Sequence, residues 1–421
     1  MELRCRPSTI AGVVDIPGSK SHTIRAVAIA ALAEGVSHIR RPLVSADTEA
    51  AVRVYRSLGA AIEIGEVWTV QGVGCRVQTP DNVVDVGNSG TTLYIALASA
   101  CLGTGYTVFT GDQQIRRRSA GPLLQALETL GAMAFSTRDN GCAPLVVRGP
   151  LQGGQVCIEC PTSQYLTSLL LNCPLALGDT QIEVPLLNER PYVQMTLDWL
   201  DQQGVCYEAE GLQRFRIPGR QRYTAFDRTI PADFSSATFF LCAAALGPAE
   251  VLVRGVDMTD SQGDKAVVHM LRAMGADITE GPEGLRVRGK GLHGADLDLN
   301  ATPDALPALA VVAALAEGET RLGNVPQARL KETDRLAVMA QELRNLGADV
   351  TELDDGLVIR GGRLKGGRAD GHGDHRVVMA LAVAGLYADS PLTISTAEAI
   401  GVTFPTFVEL MTGLGADMKM G

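Results

Sequence analysis

The sequence predicts a mixed α/β protein of two domains, each built from three copies of one βαβαββ unit. Three observations carry this. Six apolar helices open on polar starts at Gly18-Ser-Lys-Ser21, Asn88-Ser-Gly-Thr-Thr92, Thr162-Ser-Gln164, Asp233-Phe-Ser-Ser236, Thr302-Pro-Asp304 and Asp374-His-Arg376. With Lys20, Ser89, Ser163, Ser235, Asp304 and His375 as markers, the steps are 69, 74, 72, 69 and 71 residues. Six units of about 70 residues fill the chain. A second mark keeps step with the first: amphipathic stretches end in Leu58-Gly59, Leu130-Gly131, Met274-Gly275, Leu346-Gly347 and Leu414-Gly415, with Gln203-Gly204 a weaker sixth. Finally, 421 residues exceed what one compact core holds.

Each element has its own reason. The first helix of a unit, such as Thr238–Leu246 or Leu309–Leu315, is apolar on every side and belongs inside a domain. The second, such as 332–346, places Leu336, Val338, Met339, Leu343 and Leu346 at three- and four-residue steps. Glycine after it adopts the left-handed cap at little cost. Short alternating runs then follow, such as Gly284–Arg288 and Gly356–Arg360, and read as strands. Buried helices are expected at the centre of each domain, with sheets and amphipathic helices outside.

Bulk composition narrows the function. A net charge of −10 argues against a general nucleic-acid binder, although a basic cleft is compatible with it. No apolar run reaches the length of about 18 that a membrane span needs. No signal peptide is read at the N-terminus. Nine scattered cysteines read as reduced thiols in a cytoplasm. Cys157-x-x-Cys160 has no second pair at zinc spacing, and the six histidines form no metal motif, so neither a metal nor a cofactor is expected. Trp68 and Trp199 read as packing residues.

The helix starts carry the chemistry. A helix N-terminus binds anions, and these are dressed with cations and hydroxyls. Lys20, Ser21 and Arg25 gather at the first start. The spacing there misses the nucleotide-binding loop, because Gly12 and Gly18 bracket five residues and Ser19 separates Gly18 from Lys20. Gly87–Thr92 would let a ligand approach the backbone. Ile115-Arg-Arg-Arg118 is a cationic loop. Lys331-Glu-Thr-Asp-Arg335 opens a helix, with Lys331 and Arg335 on one face and Glu332 beside them. Arg376 is unfavourable against a positive helix end and calls for an anionic partner, for which a bound substrate is a candidate. Taken singly, each also fits a plainer role: a cap, a solvated charge run or an ion-pair ladder.

Together, Pro17-Gly-Ser-Lys-Ser21, Gly87–Thr92, Lys331-Glu-Thr-Asp-Arg-Leu336 and Asp374-His-Arg376 resemble the 5-enolpyruvylshikimate-3-phosphate (EPSP) synthase family over the full length, through Thr403-Phe-Pro405. The Lys-Glu-Thr-Asp-Arg block is the most specific element. The resemblance implies a two-domain inside-out α/β barrel, with one domain of residues 1–18 and 231–421, the other of 19–230, and the active site in the cleft between them. It implies transfer of the enolpyruvyl group of phosphoenolpyruvate to the 5-hydroxyl of shikimate 3-phosphate by addition and elimination, in the synthesis of chorismate and the aromatic amino acids. The enzyme would be a cytoplasmic monomer with no nucleic-acid or membrane partner.

Residue by residue, the resemblance assigns Lys20, Ser21, Arg25, Thr162, Ser163, Gln164, Asp304 and Lys331 to shikimate 3-phosphate. It assigns Lys20, Gly90, Arg118, Gln164, Arg335 and Arg376 to phosphoenolpyruvate. Asp304 would handle the 5-hydroxyl proton, and Glu332, assisted by Lys20, the proton at C3. The chain departs from many members at four positions. Tyr94 and Val402 replace an arginine and a lysine, Ser119 replaces a proline, and Glu189 stands for a serine near the shikimate-phosphate site. Two alternatives are a related transferase with another acceptor, such as a nucleotide sugar, and a non-catalytic anion binder. The first typically carries a reactive cysteine, sometimes an aspartate, in the loop matching Gly111–Gly121, which has no cysteine here, and the Lys-Glu-Thr-Asp-Arg block is more similar to the shikimate branch. The second has no use for both Asp304 and Glu332.

Overall fold

The computed structural model describes every residue from Met1 to Gly421. The chain folds as two compact units, Gly18–Ile230 and Met1–Pro17 with Pro231–Gly421, and passes between them twice. The first unit contains helices α1 (Lys20–Leu32), α2 (Ala46–Ser57), α3 (Gly90–Ala100), α4 (Gly121–Thr129), α5 (Ser163–Asn172) and α6 (Arg190–Gln202). The second contains α7 (Phe234–Leu246), α8 (Ala266–Ala273), α9 (Leu306–Leu315), α10 (Arg335–Asn345), α11 (His375–Tyr387) and α12 (Phe407–Gly413).

The odd-numbered helices are the apolar ones and are buried almost throughout. In the second unit α7, α9 and α11 pack on one another; in the first, α3 packs on both α1 and α5. The even-numbered helices bury one face, as alternating polar and apolar residues require. All six are followed by a glycine at positive φ, from +68° at Gly204 to +107° at Gly59.

Six four-stranded sheets surround these helices. The pattern is plain around α9. Asp296–Asp298 before the helix pairs in parallel with Glu319–Gly323 after it. That strand pairs antiparallel with Gly356–Arg360, which pairs in turn with Asp349–Leu353.

Two units break the simple strand-before-helix order. Gly12–Asp15 leads into α1, yet it pairs with Val251–Arg254, the strand that follows α7. Asp227–Thr229 leads towards α7, yet it pairs with Val36–Arg40, the strand that follows α1. The two crossings therefore exchange first strands between repeats. Leu3–Arg6 completes the sheet of the last repeat, between Leu392–Ser395 and Asp417–Met420.

A further glycine recurs where the last strand of a unit ends. A Cβ on Gly72, Gly149, Gly289 or Gly361 would lie 2.2, 1.9, 2.4 or 1.4 Å from the carbonyl oxygen of Ala33, Cys101, Ala245 or Ala316. Each of these carbonyls closes a buried helix, so the sheet edge abuts the helix end at a distance only glycine allows. Gly361→Ala is expected to cost about 1–3 kcal/mol by overpacking. Gly362→Ala, with open space around its Cβ, is expected to stay within about 0.5 kcal/mol. Urea unfolding of the two variants checks this.

Candidate active site

In the unit Gly18–Ile230, the buried-helix starts present amides and hydroxyls. Ser19 caps α1, its hydroxyl accepting from the His22 amide. Lys20, the first helical residue, places its ammonium 3.1 Å from Asp47 Oδ2 in the first turn of α2. Arg25, one turn on from Ser21, is 2% exposed. It donates to the Ser21 and Tyr192 carbonyls and to the Thr167 and Thr196 hydroxyls at 3.0–3.2 Å. All four acceptors are neutral, and burial pushes this guanidinium down to about 10. A cation buried without a carboxylate partner is suited to an anionic ligand.

Gly90, Arg118 and Gln164 come together. A Cβ on Gly90 would lie 2.7 Å from Arg118 Nη1 and 3.7 Å from Gln164 Oε1. Gln164 also donates to Thr91 Oγ1 at 3.0 Å, joining the starts of α3 and α5. The arginine loop is tied down on both sides. Asn88 donates to Asp112 Oδ2 at 2.6 Å and to Gln114 Oε1 at 2.7 Å. The Tyr94 and Tyr165 hydroxyls both donate to the Ser119 carbonyl, at 3.1 and 2.6 Å. Tyr94 is thus a brace for the Arg118 loop.

At the start of α5, Thr162 caps the helix, and three donors meet on one carboxylate oxygen, Glu189 Oε2. They are the Ser163 amide at 3.1 Å, the Ser163 hydroxyl at 2.8 Å and the Thr162 hydroxyl at 3.2 Å.

The second unit gathers charge around Arg335, whose side chain is 1% exposed. Its Nε and Nη2 donate to Asp374 at 2.8 and 3.1 Å, its Nη1 to Asp304 at 2.8 Å, and its Nη2 to Glu332 at 2.5 Å. Asp304 also lies 3.0 Å from Arg376 Nη2 and 3.8 Å from Lys331 Nζ. Three cations and three carboxylates therefore balance. Burial pushes the Asp304 carboxyl up, but Arg376, Lys331 and Arg335 outweigh it and hold the group well below the usual carboxylate range. Asp374 is likewise lowered, burial being outweighed chiefly by Arg335. For Arg335 itself, burial is outweighed by Asp374, Glu332 and Asp304, which raise it.

Two sequence expectations change here. Lys331 and Glu332 do not lie on a helix, because Asp334 caps α10 and the helix begins at Arg335. Lys331 and Arg335 still meet, through Asp304 rather than along a helical face. The anionic partner that Arg376 requires is supplied by the chain itself, as Asp304. Asp304 sits in a short 3₁₀ turn before α9 and caps nothing, whereas Asp374 accepts from the Arg376 amide as a true cap.

Sequence reasoning missed three acids as side-chain partners. Asp47 pairs Lys20, and Asp374 anchors Arg335. Asp264, 2% exposed, accepts from Ser235 and Thr302, and Ser235 in turn accepts from Arg376 Nη2 at 3.1 Å. Only the unsatisfied cation at the Arg376 start pointed towards such acids.

Comparison with known proteins shows what the chain as a whole is similar to. The profile described as EPSP synthase (3-phosphoshikimate 1-carboxyvinyltransferase) matches residues 5–411. A 3-phosphoshikimate 1-carboxyvinyltransferase of Acetivibrio thermocellus is 54% identical over 420 residues, covering 100% of this chain and 99% of its own. One from Ruminiclostridium cellulolyticum is 51% identical over 421 residues, covering 100% of each. The solved structure of EPSP synthase from Acinetobacter baumannii superposes with a TM-score of 0.84 at 29% identity, again over 100% of both chains.

The buried acids also set acid stability. The folded-state pKa values of Asp304 and Asp374 lie below the unfolded value of about 3.9, so their contribution is complete above that pH. It is lost as pH falls through the folded values. Asp374→Asn leaves Arg335 short of a buried partner and is expected to cost about 3–5 kcal/mol at pH 7. The gap from wild type should narrow in urea titrations carried below pH 4.

Proposed function

The chain belongs to the EPSP synthase family, and on that premise we propose that it transfers the enolpyruvyl group of phosphoenolpyruvate to the 5-hydroxyl of shikimate 3-phosphate, releasing phosphate. The observation that carries the reading is the sharing of one buried guanidinium by two acids. Asp304 and Glu332 are held on Nη1 and Nη2 of Arg335, at 2.8 and 2.5 Å. Addition–elimination needs two proton-transfer groups at fixed separation, and a rigid planar fork supplies that.

In the proposed reaction the 5-hydroxyl oxygen bonds to C2 of phosphoenolpyruvate and its proton passes to Asp304. C3 takes a proton that the Lys20 ammonium supplies by way of the Glu332 carboxylate, and a tetrahedral adduct forms. Glu332 then takes a proton back from C3, and the double bond is restored as the C2–O bond breaks and phosphate leaves. Asp304 is a weak base while three cations hold it. The carboxylate and phosphate of phosphoenolpyruvate would draw on Arg335 and Arg376, which raises the basicity of Asp304 when substrate is present. Asp264 positions Arg376 through Ser235.

Gly90, Arg118 and Gln164 are proposed to hold phosphoenolpyruvate from the other unit. Lys20, Ser21, Arg25, Thr162, Ser163, Gln164 and Lys331 are proposed to hold shikimate 3-phosphate. The two units are read as two domains that act on one pair of substrates. No helix is long and apolar enough to cross a membrane, and the nine cysteines are unpaired. These features support a cytoplasmic enzyme, which we read as a monomer.

Phosphate release tests the function. It is expected only with both substrates present, and absence of turnover from well-folded protein would overturn the reading, as would release with a nucleotide-sugar acceptor in place of shikimate 3-phosphate. Lys20→Met and Glu332→Gln are each expected to lower kcat by about 100- to 10,000-fold with folding intact. A near-normal rate for either removes that residue from proton transfer.

A further inference from the structure

Glu189 is out of place in three respects. It is 2% exposed, though a carboxylate. Its backbone is left-handed, at φ +57° and ψ +40°, a region that bulky residues rarely occupy and that tends to persist where function requires it. It stands at the N-cap position of α6, yet makes no side-chain cap bond to that helix. Its carboxylate reaches instead to the start of α5, where the Ser163 amide, the Ser163 hydroxyl and the Thr162 hydroxyl all donate to Oε2.

That donor set, a helix-terminal amide with two hydroxyls, is what a phosphate oxygen takes. The same residues are assigned above to shikimate 3-phosphate, whose phosphate suits that donor set, and the inference rests on that assignment. One oxygen cannot be replaced by another while both remain, and a carboxylate beside a phosphate dianion adds like-charge repulsion.

We propose that Glu189 is an internal competitor for the substrate's phosphate. Its carboxylate satisfies the start of α5 in the free protein, and shikimate 3-phosphate gains those donors by turning Glu189 out. The residue thus sets the affinity for the phosphorylated acceptor without touching the reacting atoms. Thr162 and Ser163 are not among the residues assigned to phosphoenolpyruvate, although Gln164 is assigned to both substrates.

Wild type, Glu189→Ser and Glu189→Gln separate the possibilities. Serine removes the competing oxygen; glutamine keeps the size and removes the charge. Titration calorimetry is expected to show shikimate 3-phosphate bound about tenfold more tightly by Glu189→Ser, the scale of one charge-assisted contact. The gain should be smaller in Glu189→Gln, with the KM for phosphoenolpyruvate within about twofold of wild type in both. Without substrates, inorganic phosphate should raise the Tm of Glu189→Ser more than that of wild type. Equal or weaker binding of shikimate 3-phosphate by both variants overturns the proposal, as does an equal tightening for both substrates. A gain in Glu189→Ser alone supports it. Wild-type turnover, measured first, tests the function separately: turnover without tighter binding in the variants sinks only the competitor role.

Discussion

The charge cluster depends on one buried guanidinium. Arg335 is always ionised and cannot be left in a low-dielectric interior alone. Its planar fork draws Asp374 from the start of α11, Asp304 from the turn before α9 and Glu332 from its own chain neighbourhood. That demand explains local structure as well as charge. Asp334 caps α10, so Lys331 and Glu332 stay off the helix and their side chains turn to Asp304 and Arg335. The same contacts hold Asp304 ionised and weakly basic until other anions compete for its cations.

The two units balance charge differently. Around Arg335 every cation has a carboxylate, so binding an anion there means exchanging partners. In Gly18–Ile230 helix amides and threonine and serine hydroxyls are prominent, beside a buried Arg25 cation whose acceptors are all uncharged. Glu189 is a carboxylate seated among those hydroxyls, and Asp47 a second buried one, paired with Lys20. Arg118 depends on a polar brace, since the Tyr94 and Tyr165 hydroxyls share the Ser119 carbonyl and their rings meet edge to face at 5.1 Å.

The repeat makes these placements possible. Buried helices with no polar face force their polar starts to the ends of the bundle, where side chains can act. Glycines such as Gly361 let each sheet close against its helix end. The exchange of first strands at the two crossings joins the halves of the repeat without altering the sheet pattern.

The sequence by itself determined the six buried helices, the glycine after each amphipathic helix and the motifs Lys20–Arg25, Gly87–Thr92, Lys331–Arg335 and Asp374–Arg376. These are local properties: periodicity, capping and positive φ are written within a few residues of where they act. Tertiary structure alone decided what was long-range. The strand Gly12–Asp15 pairs beyond its own repeat. Asp47 finds Lys20, Asp264 finds Ser235, and Glu189 finds Ser163, 26 residues away. A carboxylate's partner is set by which elements pack together, and no spacing rule along the chain encodes that.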